Sequence, residues 1–523
     1  VTDGTFADEV DDVSGAPGPR AERTATAAAA AAAAIAAGEP PVRMLGRDVA
    51  YKYVVAAVFV SALFLDLIDV TIVNVALRTI GADFRTEAIE WIVLGYTLSL
   101  AVWIPASGWM GDRYGTKRVF LTALGLFVGG SVLCGFAQSI GQLIAFRVVQ
   151  GVGGGMLTPV GTAMLFRAFP PIERARASTI VMIPTLAAPA LGPIVGGLLT
   201  ETIGWRWIFF VNVPIGIVAM AFGLRYLREH REPTAGPFDL PGFVLSGFGL
   251  ASIAYALNEG PRIGWTNPWV TGLGIGGVVA FALLVYVETH KPHPMLALRL
   301  LKLRLFRATN VVMASGMASF IGLTFVLPLY LQGLRGLNPL ESGLTTFPQA
   351  IGILASSQIA GRLYPYVGPR RLMVGGMLGG AVVMAGFLAV GLETDYWWIR
   401  ILIFLRGFAM GFCFVASQAA SYAQIAPADN GRASAIFATQ RQMATSIGVA
   451  LVATVLASFT TLSAAPADPE RALTGYHWTF AVCVGLALTA AILAFVLIRD
   501  EDAQATMRPR RPTSRTSDAT SVR

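Results

Sequence analysis

From residue 53 to residue 498, long apolar runs alternate with short polar connectors. Each run is about as long as one bilayer crossing, which takes about 20 mostly apolar residues in a helix. The pattern predicts membrane-spanning helices at 53–77, 89–111, 118–137, 140–166, 176–200, 206–227, 238–258, 269–288, 308–331, 340–363, 371–392, 398–423, 433–459 and 476–498. The expected fold is therefore an all-α membrane protein with fourteen transmembrane helices. Composition agrees, because 13% of the residues are charged where a soluble domain carries about 25%.

The connectors give an independent check. With both termini cytoplasmic, the inside segments carry 29 of the 39 Lys and Arg and the outside loops carry 7, leaving Arg147, Arg406 and Arg441 in the membrane. An error of one span would spoil this asymmetry, since basic residues collect on the cytoplasmic side. An internal repeat points the same way. GWMGDRYGTKR at 108–118 recurs as GRLYPYVGPRR at 361–371, an offset of 253 residues, placing Gly108 over Gly361 and Gly115 over Gly368. Both copies follow the second helix of a six-helix half if the seventh and eighth spans are an insertion. Two parallel six-helix repeats are a known transporter plan. The expected organisation is a disordered tail at 1–50, a first bundle at 51–230, two inserted helices with a cytoplasmic linker at 231–300, a second bundle at 301–498 and a basic tail at 499–523.

Within this apolar background the stretch FLDLIDVTIVNVAL, residues 64–77, holds Asp66 and Asp69 near the middle of a span. One charged Asp at a helix centre costs about 2.5–3.5 kcal/mol on insertion scales. The pair is spaced i, i+3 and so shares one helix face, where low dielectric and a like charge one turn away both favour a neutral carboxyl. A carboxyl that gains and loses a proton as a cavity faces opposite sides is a coupling device. Arg147, inside the fourth span, needs an acidic or polar partner at that depth. The glycines and proline of LGPIVGGLL, namely Gly192, Pro193, Gly196 and Gly197, allow close helix packing in lipid.

The three cysteines, Cys134, Cys413 and Cys483, lie in apolar runs, and the four histidines are scattered. No metal-ligand spacing, nucleotide loop or nucleophile arrangement is present, so no metal, no cofactor and no enzymatic activity are expected.

Taken in order, IDVTIVNVAL, GWMGDRYGTKRVF, RVVQGVGGG at 147–155, LGPIVGGLL at 191–199, GWRWIFFVNVPIG at 204–216, LPLYLQGLRGLNPLESGL at 327–344 and RQMATSIGVA at 441–450 resemble the motifs of one family. It is the major facilitator superfamily, and within it the fourteen-helix drug:proton antiporters of the EmrB/QacA type. The resemblance implies proton-coupled export of drugs or other amphipathic molecules by alternating access from a bacterial inner membrane, with the proton gradient as the energy source. It implies proton or substrate roles for Asp66, Asp69 and Arg147, and a gating motif made of Gly108, Asp112, Arg113, Gly115, Lys117 and Arg118. It ties the fifth-helix motif to export. Pro365 stands where the first loop copy has Asp112, so gating is expected to rest on the first half.

Asn74, Gln150, Tyr330, Gln332, Arg406, Arg441 and Gln442 are expected as polar contacts of the cavity. Aromatic residues, 10% of the chain, suit a lipophilic or cationic cargo through stacking and cation–π contacts. The expected partners are a small-molecule substrate and membrane lipid, with no nucleic acid. A periplasmic adaptor is left undecided by the sequence. The alternative within transport is a dedicated exporter of one endogenous metabolite, lipid precursor or siderophore; a channel or a membrane-embedded enzyme is the alternative from another class.

Overall fold

The computed structural model describes residues 40–44, 46–86, 89–232, 236–291, 294–459 and 468–507. Most of the segments expected to be tails, 1–39 and 508–523, lie outside the described residues, as does His293. Ahead of the helices, β1 (Val42–Met44) pairs antiparallel with β2 (Arg47–Val49), with Val42 opposite Val49.

Everything that follows is helical. The first half comprises α1 (Tyr51–Phe84), α2 (Glu90–Tyr114), α3 (Thr116–Gly135), α4 (Ile140–Ala168), α5 (Arg174–Thr202) and α6 (Trp207–Tyr226). Next come α7 (Leu240–Ile263) and α8 (Pro268–His290), which pair with each other. The second half comprises α9 (Arg304–Leu334), α10 (Pro339–Thr346), α11 (Pro348–Val367), α12 (Pro369–Ala389), α13 (Tyr396–Ser421), α14 (Asn430–Ala457) and α15 (Pro469–Leu497).

Among the described residues, eleven helices are long and apolar enough to cross a membrane. The spans expected at 176–200, 340–363 and 433–459 fall on α5, α10 with α11, and α14, which are outside that set. These are the helices richest in small and polar residues, as in NGRASAIFATQRQMATSIGVA of α14. The run at 340–363 is also broken at Phe347, because Pro348 opens α11 and has no N–H to continue the α10 ladder. At the start of α1 the apolar span is Tyr51–Leu77, yet the helix runs on to Phe84.

Polar residues fix the helix starts. Ser139, Asp239, Asn267, Asn338, Asp395 and Asp468 each accept a backbone N–H of the helix that follows, which relieves donors a helix N-terminus leaves unpaired. Each half then buries its own apolar cluster. One gathers around Ile72, Ile92, Leu143 and Phe209, the other around Leu327, Phe387, Ile403 and Phe480. The halves meet along two seams, α2 against α14 and α5 against α11. Of the inserted pair, α7 packs on α2 and α14, while α8 exposes Ile275, Val278, Leu283 and Tyr286. An apolar outer face of this kind suits lipid.

Residues Asp500–Thr506, in the segment expected to be a basic solvated tail, coil into a 3₁₀ helix with Ala503 and Thr506 buried. The Tyr364 hydroxyl lies 2.9 Å from Thr506 Oγ1. That segment is acidic, DED, and its docking follows from the use of Asp500 described below.

Candidate functional site

Asp69 is fully buried in the first half, and two helices supply its partners. Arg147 Nη1 of α4 donates to Asp69 Oδ2 at 2.5 Å, an ion pair with both side chains out of solvent. Gln150 Nε2, one turn along α4, donates to Asp69 Oδ1 at 2.8 Å, and Asn212 Nδ2 of α6 donates to the same oxygen at 3.1 Å. Ser131 Oγ of α3 accepts from both amides, at 2.7 and 3.1 Å. Arg147 also donates from Nε to the Ile92 carbonyl at 3.2 Å, and its guanidinium stacks 4.3 Å over the Tyr96 ring. Five helices thus converge on one carboxylate and one guanidinium. A buried pair offsets its desolvation only when further hydrogen bonds satisfy the remaining lone pairs and protons, and this one is so equipped.

Asp66 lies one turn earlier on the same helix with a different set of partners. The Tyr96 hydroxyl donates to Asp66 Oδ1, and Thr158 Oγ1 is 3.5 Å from Asp66 Oδ2. No cation lies within ion-pair distance of Asp66 among the described residues. Arg441 of α14 acts on Asp66 electrostatically from across the seam without touching it. Gly154 of α4 makes room for the contact: a Cβ there would come 2.5 Å from the Tyr96 hydroxyl and 2.9 Å from Asp66 Oδ1.

A second assembly joins α2 to the start of α14. Gly108 of α2 abuts Gly431 of α14 so closely that a Cβ at 108 would sit 2.6 Å from the Gly431 carbonyl oxygen. One turn further along α2, Asp112 is buried beside Gly431 at the start of α14, with Arg432 Nε 3.7 Å from Asp112 Oδ2. Arg432 also reaches Asp429 at 3.6 Å, and Asp429 pairs with Arg299 at 2.6 Å. The repeat carries the contact to the other seam, where a Cβ at Gly361 would meet Thr179 Oγ1 at 2.7 Å. There Thr179 donates to the Ser357 carbonyl at 3.1 Å, and Pro365 offers no charge. Phe166 stacks on Tyr422 at 4.3 Å between the halves, and Arg174 Nη1 donates to the Tyr422 carbonyl.

The loop glycines serve a related purpose. Gly115 has φ +102° and Gly368 has φ +88°, a region that glycine enters without steric cost. Each precedes a helix start that a carboxylate caps. Glu229, after α6, accepts from the Lys117 N–H at 3.0 Å; Asp500, after α15, accepts from the Arg370 N–H at 2.9 Å. Arg118 Nε lies 3.6 Å from Glu229, and Lys117 Nζ donates to the Leu224 carbonyl at 2.8 Å. Arg113 is exposed at the end of α2.

The other expected residues divide. Gln150 belongs to the Asp69 cluster. Gly192 and Gly196 of α5 pack against Thr71 and Ile72 of α1, Gly197 faces open space, and Pro193 lies between them in α5. Asn74 is exposed on α1. Gln442 lines a small crevice with Ala101 and Leu250, where α2, α7 and α14 meet. Tyr330 and Gln332 are not brought to the acidic cluster. The Tyr330 hydroxyl donates to the Gly391 carbonyl at 2.7 Å among the second half's aromatics, and Gln332 donates to Ser342 at 3.2 Å. Arg406 is buried within the second half.

Sequence reasoning missed Tyr96, Ser131, Thr158, Glu229, Asp429, Arg432 and Asp500. It missed Asn212 too, although that residue sits inside the quoted sixth-helix stretch. Among the described residues, no group of three or more His, Cys, Asp or Glu side chains is placed to hold a metal ion.

Comparison with known proteins places these features in a family. The family model described as the Major Facilitator Superfamily matches residues 59–449 and, in a second placement, 311–520. The chain is 36% identical over 407 residues to the "Multidrug resistance protein B homolog" of Mycobacterium tuberculosis (strain ATCC 25618 / H37Rv), covering 76% of this chain and 74% of that one. It is 32% identical over 396 residues to the "Uncharacterized MFS-type transporter YhcA" of Bacillus subtilis (strain 168), covering 75% and 74%. In fold it matches the crystal structure of the human organic anion transporter MFSD10 (TETRAN) with a TM-score of 0.60 at 14% identity, over 85% of this chain and 99% of that one.

Proposed function

The chain belongs to the Major Facilitator Superfamily, and we propose that it is a proton-coupled multidrug exporter working by alternating access. It is a multi-pass membrane transporter rather than an enzyme. The finer reading is a fourteen-helix antiporter of the EmrB/QacA type, counting α5, α10 with α11, and α14 as spans. The membrane is the bacterial inner membrane, and both termini are cytoplasmic, in line with the Lys and Arg distribution.

The observation that carries the coupling is the division of labour on α1. Asp69 is matched by the Arg147 guanidinium and two amides, whereas Asp66 is held by neutral hydroxyls beside the seam. A carboxyl without a fixed counter-ion at membrane depth is the one whose proton has to follow the access state. Tyr96 links the two, since its hydroxyl donates to Asp66 while its ring lies under Arg147.

In this reading the end bearing Gly108, Asp112 and Gly431 is cytoplasmic, and the arrangement is closed toward the cytoplasm. Opening it separates Gly108 from Gly431, frees Asp112 from Arg432 and the start of α14, and brings Asp66 to cytoplasmic solvent. Amphipathic cargo then enters as the proton leaves.

The test is the purified protein in sealed proteoliposomes with an imposed pH gradient and a panel of lipophilic dyes. Uptake of dye with counter-movement of protons is expected; dye movement that neither follows nor shifts the gradient would make this a channel or a uniporter.

A further inference from the structure

The two halves build the same buried-arginine unit, but only the first supplies it with an acid. LIAFR at 143–147 and LIFLR at 402–406 place Arg147 and Arg406 alike, each on the fourth span of its half when α10 and α11 are counted as one. Each arginine reaches the first and second helices of its own half. Arg147 bonds to Asp69 of α1 and to the Ile92 carbonyl of α2. Arg406 bonds to the Phe320 carbonyl of α9 at 2.5 Å, to Thr324 Oγ1 at 3.5 Å and, on α11, to Gln349 Oε1. Each guanidinium also stacks on a ring: Tyr96 at 4.3 Å for Arg147 and Phe320 at 4.6 Å for Arg406.

The difference is charge. All the acceptors around Arg406 are neutral, no carboxylate lies within 4 Å among the described residues, and Nε is buried without a partner. Arg406 is 0% exposed. An uncompensated guanidinium at membrane depth is expensive to keep. Its planar fork is also the donor set best matched to a carboxylate or sulfonate.

We propose that Arg406, with Thr324 and Gln349, forms a subsite in the second half for the acidic group of the cargo. The preferred substrates are then amphiphiles that carry an organic acid, and Asp66 remains for a cationic group in zwitterions. This rests on the transport reading above and narrows its substrate class.

Access runs past Thr324, which is exposed, and Gln349, which is half-buried. Gln349 is the neutral stand-in that an incoming carboxylate displaces from Nη1. Its backbone is fixed, because a Cβ at Gly407 of α13 would collide with the Gln349 carbonyl oxygen. The exchange is therefore a swing of the Gln349 side chain just after the Phe347–Pro348 break.

Two probes with one fluorophore and opposite charge test the subsite: dansylglycine, a carboxylate, and dansylcadaverine, an ammonium. Both are titrated against the full-length purified protein in detergent, without a proton gradient. Wild type is expected to bind dansylglycine saturably. Arg406→Gln is expected to weaken dansylglycine at least about tenfold, the loss of one charge-assisted contact, while leaving dansylcadaverine nearly unchanged. Arg406→Lys should recover part of the loss. Gln349→Ala keeps the guanidinium, removes its competing acceptor and should tighten dansylglycine, which serves if Arg406→Gln does not fold. Absence of saturable dansylglycine binding to wild type, equal weakening of both probes in Arg406→Gln, or an unmoved Gln349→Ala each overturns the proposal. Failure of gradient-driven dye movement in proteoliposomes with these binding results intact would instead overturn the antiport reading alone.

Discussion

Asp66 and Asp69 stand one turn apart on α1 and share no partner: Tyr96 and Thr158 hold the first, and Arg147, Gln150 and Asn212 hold the second. Spacing alone puts both on one face and makes them look equivalent. The side chains brought in by α2, α4 and α6 set them apart: Asp69 meets a guanidinium and two amides, and Asp66 meets only hydroxyls.

Asp69→Asn is therefore expected to cost stability first. It leaves the Arg147 charge buried without its counter-ion, a loss of about 3–5 kcal/mol when one partner of such a pair is removed. Thermal unfolding in detergent should show a large drop, and Asp69→Asn with Arg147→Gln together should recover much of it. If Asp69→Asn unfolds like wild type, the pair is not a stabilising element.

Asp66→Asn removes no ion pair, and the Asn carbonyl can still accept from Tyr96. Thermal stability close to wild type is expected, with gradient-driven export in everted vesicles lost and dye binding retained. Export at the wild-type rate in this variant would move the coupling proton elsewhere.

The glycine contact at the bundle end predicts a shift in population rather than in affinity. A methyl at 108 meets backbone, the Gly431 carbonyl at 2.6 Å, which cannot swing aside as a side chain would. Overpacking of this kind costs about 1–3 kcal/mol, charged here to the closed arrangement alone. Gly108→Ala should raise labelling of a reporter cysteine placed near this end and slow turnover. Gly197→Ala, which adds its methyl to open space, should do neither. Equal labelling of the two variants would return Gly108 to ordinary packing.

The fold was legible because its signals repeat: apolar runs of bilayer length, a basic side, and one loop motif copied 253 residues on. Asp69 and Arg147 stood out because charge at membrane depth is costly and rare. Tyr96, Ser131 and Asn212 were not legible, since a single tyrosine, serine or asparagine in an apolar span looks the same whether it faces lipid or completes a network. Only helix packing decides that. Glu229 and Asp500 were hidden differently, in polar segments where an acid needs no explanation until a helix N-terminus is found beneath it. Tyr330 and Gln332 each meet a local backbone or hydroxyl partner, and sequence alone does not separate such a contact from cavity lining. At 340–363 the proline was underweighted: Pro348 breaks the run, so one expected span became two helices.

Asp112 and Arg432 give a kinetic prediction. The two are 3.7 Å apart, across the seam between α2 and α14, and Arg432 is tied onward through Asp429 to Arg299 in the segment that leads into α9. In the proposed reading cargo is held at Asp66 and Arg406, and this contact acts only on the change of access. Asp112→Asn and Arg432→Gln should each slow turnover with little change in half-saturation. The double variant should be no slower than the worse single one, because both remove the same contact. Multiplied losses in the double variant would mean that the two residues act separately.

The paired caps offer the last test, and it bears on the repeat itself. Glu229 accepts from the Lys117 N–H at the start of α3, and Asp500 accepts from the Arg370 N–H at the start of α12. Both acids follow the last helix of their half, so in each half a carboxylate beyond the final helix caps the start of the third span. Loss of a helix cap costs about 1 kcal/mol. Glu229→Ala and Asp500→Ala should therefore destabilise by similar amounts. The sites lie in different halves and share no partner, so the losses should add in the double variant. Chemical denaturation of the reconstituted protein reads this directly. A large loss from Glu229→Ala with none from Asp500→Ala would show that the second half keeps the geometry of the motif without its energetic role, as it already keeps the loop glycines while Pro365 replaces the aspartate.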